Sequence, residues 1–203
     1  MSLEAISINP KNGVSKHLLV MLHGWGSNAE DLAPLASILT LPDYQLLFPN
    51  APFPHPQVPG GLAWYGLENE EYEGIEESRQ LLKNWLLSLE KNTGIPLSRT
   101  ILTGFSQGGA MSLDVGHNLP LAGICSLSGY LQFQPQKLTS SIPPILIIHG
   151  TQDMVVPIEM AQKAKDELTS IHAKVEYHEL NMGHEIPLIV LPILEKFIER
   201  SQK

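Results

Sequence analysis

One serine in this chain sits among glycines, in the run Gly104-Phe105-Ser106-Gln107-Gly108-Gly109 that follows the apolar Thr100–Thr103. Gly104, Ser106 and Gly108 match the pattern G-x-S-x-G. Glycine at the flanking positions permits a sharp strand-to-helix turn whose strain lifts the serine hydroxyl clear of a sheet. A helix starting near Gln107 then aims its first N–H groups at the place where an oxyanion forms during acyl transfer. A glycine-rich turn capped by a serine gives the same letters. The context favours the nucleophile, with an apolar run before the turn and the helical pattern Ala110–Asn118 after it.

A serine hydroxyl is a poor nucleophile at neutral pH and needs a base to take its proton. Of the eight histidines, His184 is the candidate, in a Gly-containing loop just after the last predicted strand. His17, His55, His117, His172 and His178 fall at element ends, in an irregular loop or within a strand, and are read as structural or solvated. His23 and His149 each precede a glycine at a strand end, where they shape turns and bond backbone groups. The base needs an acid that holds its tautomer, and Asp153, after the apolar run 143–148, is the best placed. Glu185 adjoins His184 too closely in sequence for head-on contact, and Asp114 lies two turns into the helix, facing away. The backbone N–H groups of Trp25, in the tight turn Gly24-Trp25-Gly26, and of Gln107 are the candidate oxyanion hole.

The elements that must position these groups are legible as short runs. Near-continuous apolarity at 17–24, 45–52, 99–106, 121–129, 143–150 and 174–180 predicts strands covered on both faces, as in a parallel sheet. Helical spacing appears at 75–90, 158–171 and 190–197, the last with an irregular start because of Pro187 and Pro192. Ser27 three places before Glu30 predicts a capping box for a helix that Pro34 bends or splits. Alternating strands and helices predict an α/β domain, 1–203 as one unit, with right-handed crossovers. Ligands then sit beyond the carboxyl ends of the strands. The stretch 49–75, rich in Pro and Gly, is long enough to be functional rather than merely connective.

With 203 residues and 43% hydrophobic content, the chain can bury a substantial core. A formal charge of −8 argues against nucleic-acid and anionic-membrane partners. No secretory signal and no run of ~20 apolar residues is visible. The single Cys125 reads as a buried thiol, in keeping with a cytoplasmic protein. It and the scattered histidines form no ligand cluster, so neither metal nor cofactor is expected.

Taken in order, Leu22–Asn28, Phe48–Pro52, Trp64-Tyr65, the Ser106 turn, Leu127–Leu131, His149–Pro157 and Gly183–Ile186 resemble the phospholipase/carboxylesterase family of small α/β-hydrolases, over nearly the whole chain. The order Ser106, Asp153, His184 is the one that fold requires. The resemblance implies a serine hydrolase of carboxylic esters or thioesters, with Ser106, Asp153 and His184 as its triad and no cofactor. The partners it implies are small-molecule or acyl esters, without stable membrane insertion, and a homodimer is compatible with it. Long-chain acyl-protein thioesters and lysophospholipids are alternative substrates. A non-catalytic relative that binds a small molecule or a protein is a further reading, as is a serine peptidase. Trp64 and Tyr65 either line the acyl site or are exposed or core aromatics at strand edges. Two positions depart from the family pattern: Trp25 stands where relatives carry leucine, and Gly66 where aspartate is common.

Overall fold

The structure is a computed structural model that describes residues 3–10, 13–67, 71–135 and 141–201. In chain order it runs β1 (Ala5–Ile8), β2 (His17–Leu22), α1 (Ala29–Leu32), β3 (Tyr44–Pro49), β4 (Phe53–Pro54), β5 (Leu62–Ala63), α2 (Ile75–Thr93), β6 (Thr100–Phe105), α3 (Gln107–Gly116), β7 (Gly123–Leu127), β8 (Ile145–Gly150), α4 (Ile158–Ser170), β9 (Val175–Leu180) and α5 (Val190–Arg200). Seven strands form one sheet in the order β1-β3-β2-β6-β7-β8-β9. Every pairing is parallel except β1 with β3. The six runs predicted as strands all lie in this sheet. The seventh, β1, was not expected, because Ala-Ile-Ser-Ile is too short to stand out from its polar surroundings.

The apolar runs are continuous because the sheet is covered on both faces. In β2, Leu18, Val20 and Leu22 join one core cluster, while Leu19 and Met21 join the other. In β8, Ile145 and Ile147 divide from Leu146 and Ile148 in the same way. Helices α2, α3 and α4 supply the first cluster, and α1 and α5 the second. Cys125 is fully buried between β7 and the second layer, and burial raises its thiol well above the usual range.

The first helix starts one residue later than Ser27 and Glu30 predicted. Asn28 is the N-cap: its Oδ1 accepts the N–H groups of Glu30 and Asp31, and Asp31 Oδ2 accepts the Asn28 N–H. Ser27 instead donates its hydroxyl to Asp31 at 2.8 Å. Asn is at least as strong a cap as Ser, so the register follows Asn28. Pro34 splits the segment as expected, with α1 giving way to a 3₁₀ turn over Ala33–Ser37. Over 50–67 and 71–74 the chain is irregular apart from the small β4–β5 hairpin.

Candidate active site

Strands β2 and β6 are neighbours at the middle of the sheet. From β2 the chain moves outward to β3, and from β6 it moves the other way through β7, β8 and β9. This reversal is the switch point where a parallel sheet opens a crevice beyond its strand ends. The loop after β2 carries Gly24 and Trp25, and the turn after β6 carries Ser106. Asp153 follows β8 and His184 follows β9.

Ser106 has φ 54° and ψ −118°, a conformation an L residue seldom adopts. It is held there from both sides: its N–H donates to Leu127 O on β7 at 2.9 Å, and its carbonyl accepts the Ala110 N–H at 3.0 Å. The turn closes only because of its glycines. A Cβ on Gly104 would lie under 3.0 Å from the Gly108 carbonyl, and one on Gly108 under 3.0 Å from the Leu22 and His23 carbonyls.

His184 Nε2 lies 2.9 Å from Ser106 Oγ, and His184 Nδ1 lies 2.7 Å from Asp153 Oδ2. The carboxylate only accepts, so Nδ1 carries the proton and Nε2 is left to accept from the Ser106 hydroxyl. The Asp153 side chain is fully buried and His184 keeps 15% exposure. Burial pushes the Asp153 carboxyl up, but hydrogen bonds from His184 and from the Val156 and Val155 N–H groups outweigh it, leaving the carboxyl below its ordinary value. His149 Nε2 donates to Val156 O at 2.8 Å and stands 3.4 Å from Asp153 Oδ2, so it braces the turn that holds the acid.

Gln107 is the first residue of α3, so its N–H has no acceptor within the helix. In the facing loop, Gly26 and Ser27 commit their N–H groups to Leu62 O and Gly24 O. The Trp25 N–H makes no such bond among the described residues. That loop is fixed from below by His23. Its Nδ1–H donates to Gly24 O at 2.8 Å, and its Nε2 accepts the Ala51 N–H at 3.0 Å, which defines one neutral tautomer. Burial lowers the His23 pKa, in keeping with that neutral form.

Above Ser106 lies a cavity of about 770 Å³. Its walls are chiefly carbon, from Trp25, Leu32, Leu35, Phe105, Met160 and Ile186, while Asp31, Glu159 and Glu185 also line it. The structure thus brings together five of the predicted positions, Ser106, Asp153, His184, Trp25 and Gln107. Trp64 and Tyr65 do not line this cavity. Both are fully buried beneath it. The reason is their hydrogen bonding: the Trp64 N–H donates to Gln107 Oε1, the indole Nε1–H to His23 O, and Gln107 Nε2 donates to Tyr65 O. The Tyr65 hydroxyl meets that of Tyr130, which does reach the cavity, at 2.7 Å. Of the two readings the sequence left open, the structure matches the core one, because a sequence does not say which way the pair faces.

A model of the family described as Phospholipase/Carboxylesterase matches residues 3–202. The chain belongs to the phospholipase/carboxylesterase family. Acyl-protein thioesterase 1 of Mycosarcoma maydis is 30% identical over 209 residues, covering 87% of this chain and 87% of that protein. The Emericella nidulans acyl-protein thioesterase 1 is 28% identical over 213 residues, covering 90% of this chain and 89% of its own length. Among solved structures, esterase PE8 superposes with a TM-score of 0.89 at 32% identity, covering 99% of this chain and 100% of that one. The acyl-protein thioesterase 2 of Zea mays gives 0.81 at 25% identity, over 98% of this chain and 99% of that one.

Within the phospholipase/carboxylesterase fold of this chain, several residues that form the cavity carried no sequence signal of their own. Leu32 and Leu35 belong to α1 and the 3₁₀ turn after it, and Met160 to the first turn of α4. Each reads as an ordinary helix position in one dimension. Phe105 and Ile186 were findable, because Phe105 adjoins Ser106 and Ile186 lies two places after His184. Asp114 is set apart from the site as expected, accepting from Arg79 Nε of α2 at 2.6 Å. His55, read as structural, accepts the Gln57 and Val58 N–H groups at its Nδ1.

Proposed function

We propose that this protein is a serine hydrolase of carboxylic esters and thioesters, working through an acyl-enzyme on Ser106. The observation that carries the reading is the unbroken chain of hydrogen bonds Ser106–His184–Asp153 at the floor of an apolar cavity. In this mechanism the substrate carbonyl lies over Ser106 Oγ. His184 Nε2 takes the hydroxyl proton as Oγ attacks the carbonyl carbon, and Asp153 stabilises the imidazolium that forms. The N–H groups of Trp25 and Gln107 receive the oxyanion. Collapse of the tetrahedral intermediate breaks the bond to the leaving alcohol or thiol, which takes the proton from His184. Water then repeats the sequence on the acyl-enzyme, releasing the carboxylic acid and restoring Ser106.

The apolar walls fit an acyl chain, and the acidic residues at the rim favour leaving groups without negative charge. That supports neutral carboxylic esters and uncharged thioesters over lysophospholipids whose headgroup carries a net negative charge. Among the described residues no helix is long and apolar enough to cross a membrane and no group of side chains is arranged to hold a metal. We place the protein's activity in the cytoplasm, in keeping with its one cysteine.

The direct test is hydrolysis of p-nitrophenyl esters from acetate to palmitate by the wild type and by Ser106→Ala. The expected result is turnover by the wild type and a loss of several orders of magnitude in kcat for the variant. Turnover unchanged by Ser106→Ala would end the proposed mechanism.

A further inference from the structure

His149 stands next to last in β8, is fully buried, and takes no part in the reaction as proposed. Its Nε2 donates to Val156 O at 2.8 Å and lies 3.4 Å from Asp153 Oδ2. Oδ2 is the oxygen that faces His184 Nδ1 at 2.7 Å. We propose that His149 is a positioning residue for the hydrolysis: its Nε2–H keeps the Asp153 carboxylate turned with Oδ2 toward His184. The inference rests on the ester-hydrolase reading.

The proton on His149 is assigned by its neighbours. Val156 O can only accept, so Nε2 carries a proton. His149 Nδ1 is buried and has no hydrogen-bond partner among the described residues. A second proton there would put an unpaired N–H in the interior, so the ring is neutral. Its one N–H therefore serves both Val156 O and Asp153 Oδ2. The second contact is too long for a full hydrogen bond. It places the positive end of an N–H dipole beside Oδ2, between two side chains that are both fully buried and unscreened by water.

Packing alone does not require a histidine here. The turn after β8 is already tied to the loop that brings His184. Thr151 N–H donates to Leu180 O at 2.8 Å, and Gln152 N–H donates to Met182 O at 3.1 Å. A Cβ on Gly150 would lie under 3.0 Å from the Met182 and Gly183 carbonyls, so the two segments are in close contact. The Val155 and Val156 N–H groups hold Oδ1 at 2.9 and 2.8 Å. They fix one oxygen and leave the carboxylate able to pivot about it. Two neighbours of Oδ2 oppose that pivot. His184 is 15% exposed and exchanges its Nε2 proton in each cycle, whereas His149 is fully buried and keeps its own. A hydrocarbon side chain could fill the same space without stranding a ring nitrogen. What it lacks is the N–H beside Oδ2.

The test joins p-nitrophenyl butanoate kinetics with the far-downfield proton NMR signal of the His184–Asp153 hydrogen bond. His149→Phe keeps a ring and His149→Met a flexible chain, and neither has a donor for Oδ2. Each is expected to lower kcat about tenfold or more while KM changes by less than about twofold. Each is also expected to lose the downfield signal. His149→Gln restores an N–H donor and is expected to recover most of kcat together with the signal. A folded donor-free variant with wild-type kcat overturns the inference. So does one that loses kcat while its downfield signal stays as in the wild type. Should neither donor-free variant fold, nitrogen-15 NMR of the His149 ring in the wild type decides. A proton on Nε2 and none on Nδ1 is expected, and the opposite tautomer or a charged ring overturns the inference. These outcomes leave the ester-hydrolase reading in place. Wild-type inactivity on every ester, or activity that survives Ser106→Ala, overturns both.

Discussion

The Gln107 side chain is clamped to Trp64 and its neighbour: Oε1 accepts the Trp64 N–H at 2.9 Å, and Nε2 donates to Tyr65 O at 2.8 Å. The residue whose backbone N–H we assign to the oxyanion hole is thus located by its own side chain. Gln107 is 1% exposed, so water cannot replace these partners. Gln107→Met keeps the volume and leaves a buried N–H and a buried carbonyl unpaired. The expected cost is about 1–3 kcal/mol of stability, read by urea unfolding. A fall in kcat larger than any rise in KM is expected alongside it, because the donor is displaced from the transition state. Wild-type kcat in a destabilised Gln107→Met would show that the clamp supports only the fold.

Asp153→Asn separates the geometry of the acid from its charge. The Val155 and Val156 N–H groups donate to Oδ1 at 2.9 and 2.8 Å, and an asparagine oxygen can still receive them. The amide nitrogen then faces His184 Nδ1 and donates to it, which forces the proton onto Nε2. A His184 in that tautomer cannot accept from Ser106. The expected loss in kcat is about 10⁴-fold with a native circular-dichroism spectrum. A loss under tenfold would remove Asp153 from the mechanism.

Stability should fall in two stages on acidification. Burial lowers the folded pKa of His23 below its ordinary 6.5, so below that pH the unfolded chain binds more protons than the folded one. His23 therefore contributes its full stability above pH 6.5, and that contribution shrinks as pH falls toward the folded value. Protonation also removes the lone pair that accepts the Ala51 N–H. His117 is lowered mainly by burial too and acts with the same sign. The second stage belongs to the carboxylates depressed in the fold, Asp153 together with Glu176 and Glu179, whose contributions are lost as pH falls below their ordinary 3.8 and 4.5. Urea midpoints measured from pH 8 to pH 3 should show both stages. His23→Gln keeps an acceptor for Ala51 and should flatten the first stage without touching the second. An unchanged first stage in that variant would assign it elsewhere.

Much of this was legible because the physics acts locally. Strands β2, β3, β6, β7 and β8 announced themselves because each had to satisfy two apolar layers, whereas the edge strand β9 has no fully buried residue, and Ser106 stood out because its turn tolerates only glycine at 104 and 108. The order of Ser106, Asp153 and His184 was readable because each follows the end of a predicted strand. What stayed hidden depends on direction or on partners distant in sequence. Trp64 and Tyr65 lie next to the site in space but beneath it, turned inward by bonds to Gln107 and His23 that only the folded chain brings together. The cap moved from Ser27 to Asn28 for a related reason, since Asn50, far away in sequence, accepts the Ala29 N–H at 2.8 Å and helps set where α1 begins.

The approach of α3 to β2 offers a last test, because the oxyanion pair depends on it. The Gly108 α-carbon faces the carbonyls of Leu22 and His23, at the end of the strand that leads to Trp25. This contact sets the spacing between α3, which carries Gln107, and the end of β2 that leads to Trp25, the two residues of the proposed oxyanion hole. Gly108→Ala places a methyl group against backbone on a central strand, and a strand paired on both sides cannot move aside as a side chain can. Overpacking of this kind costs about 1–3 kcal/mol, and more where backbone must yield. The variant is expected at or above the upper end, with a lowered thermal midpoint. Whatever folds should hydrolyse esters more slowly per molecule, since the two N–H groups have been pushed apart, and removal of one oxyanion donor costs about 3 kcal/mol in the barrier. Thermal unfolding combined with active-site titration separates the two effects. A Gly108→Ala protein with wild-type stability and wild-type kcat would mean that α3 can shift freely against β2, and the assigned oxyanion pair would lose its structural basis.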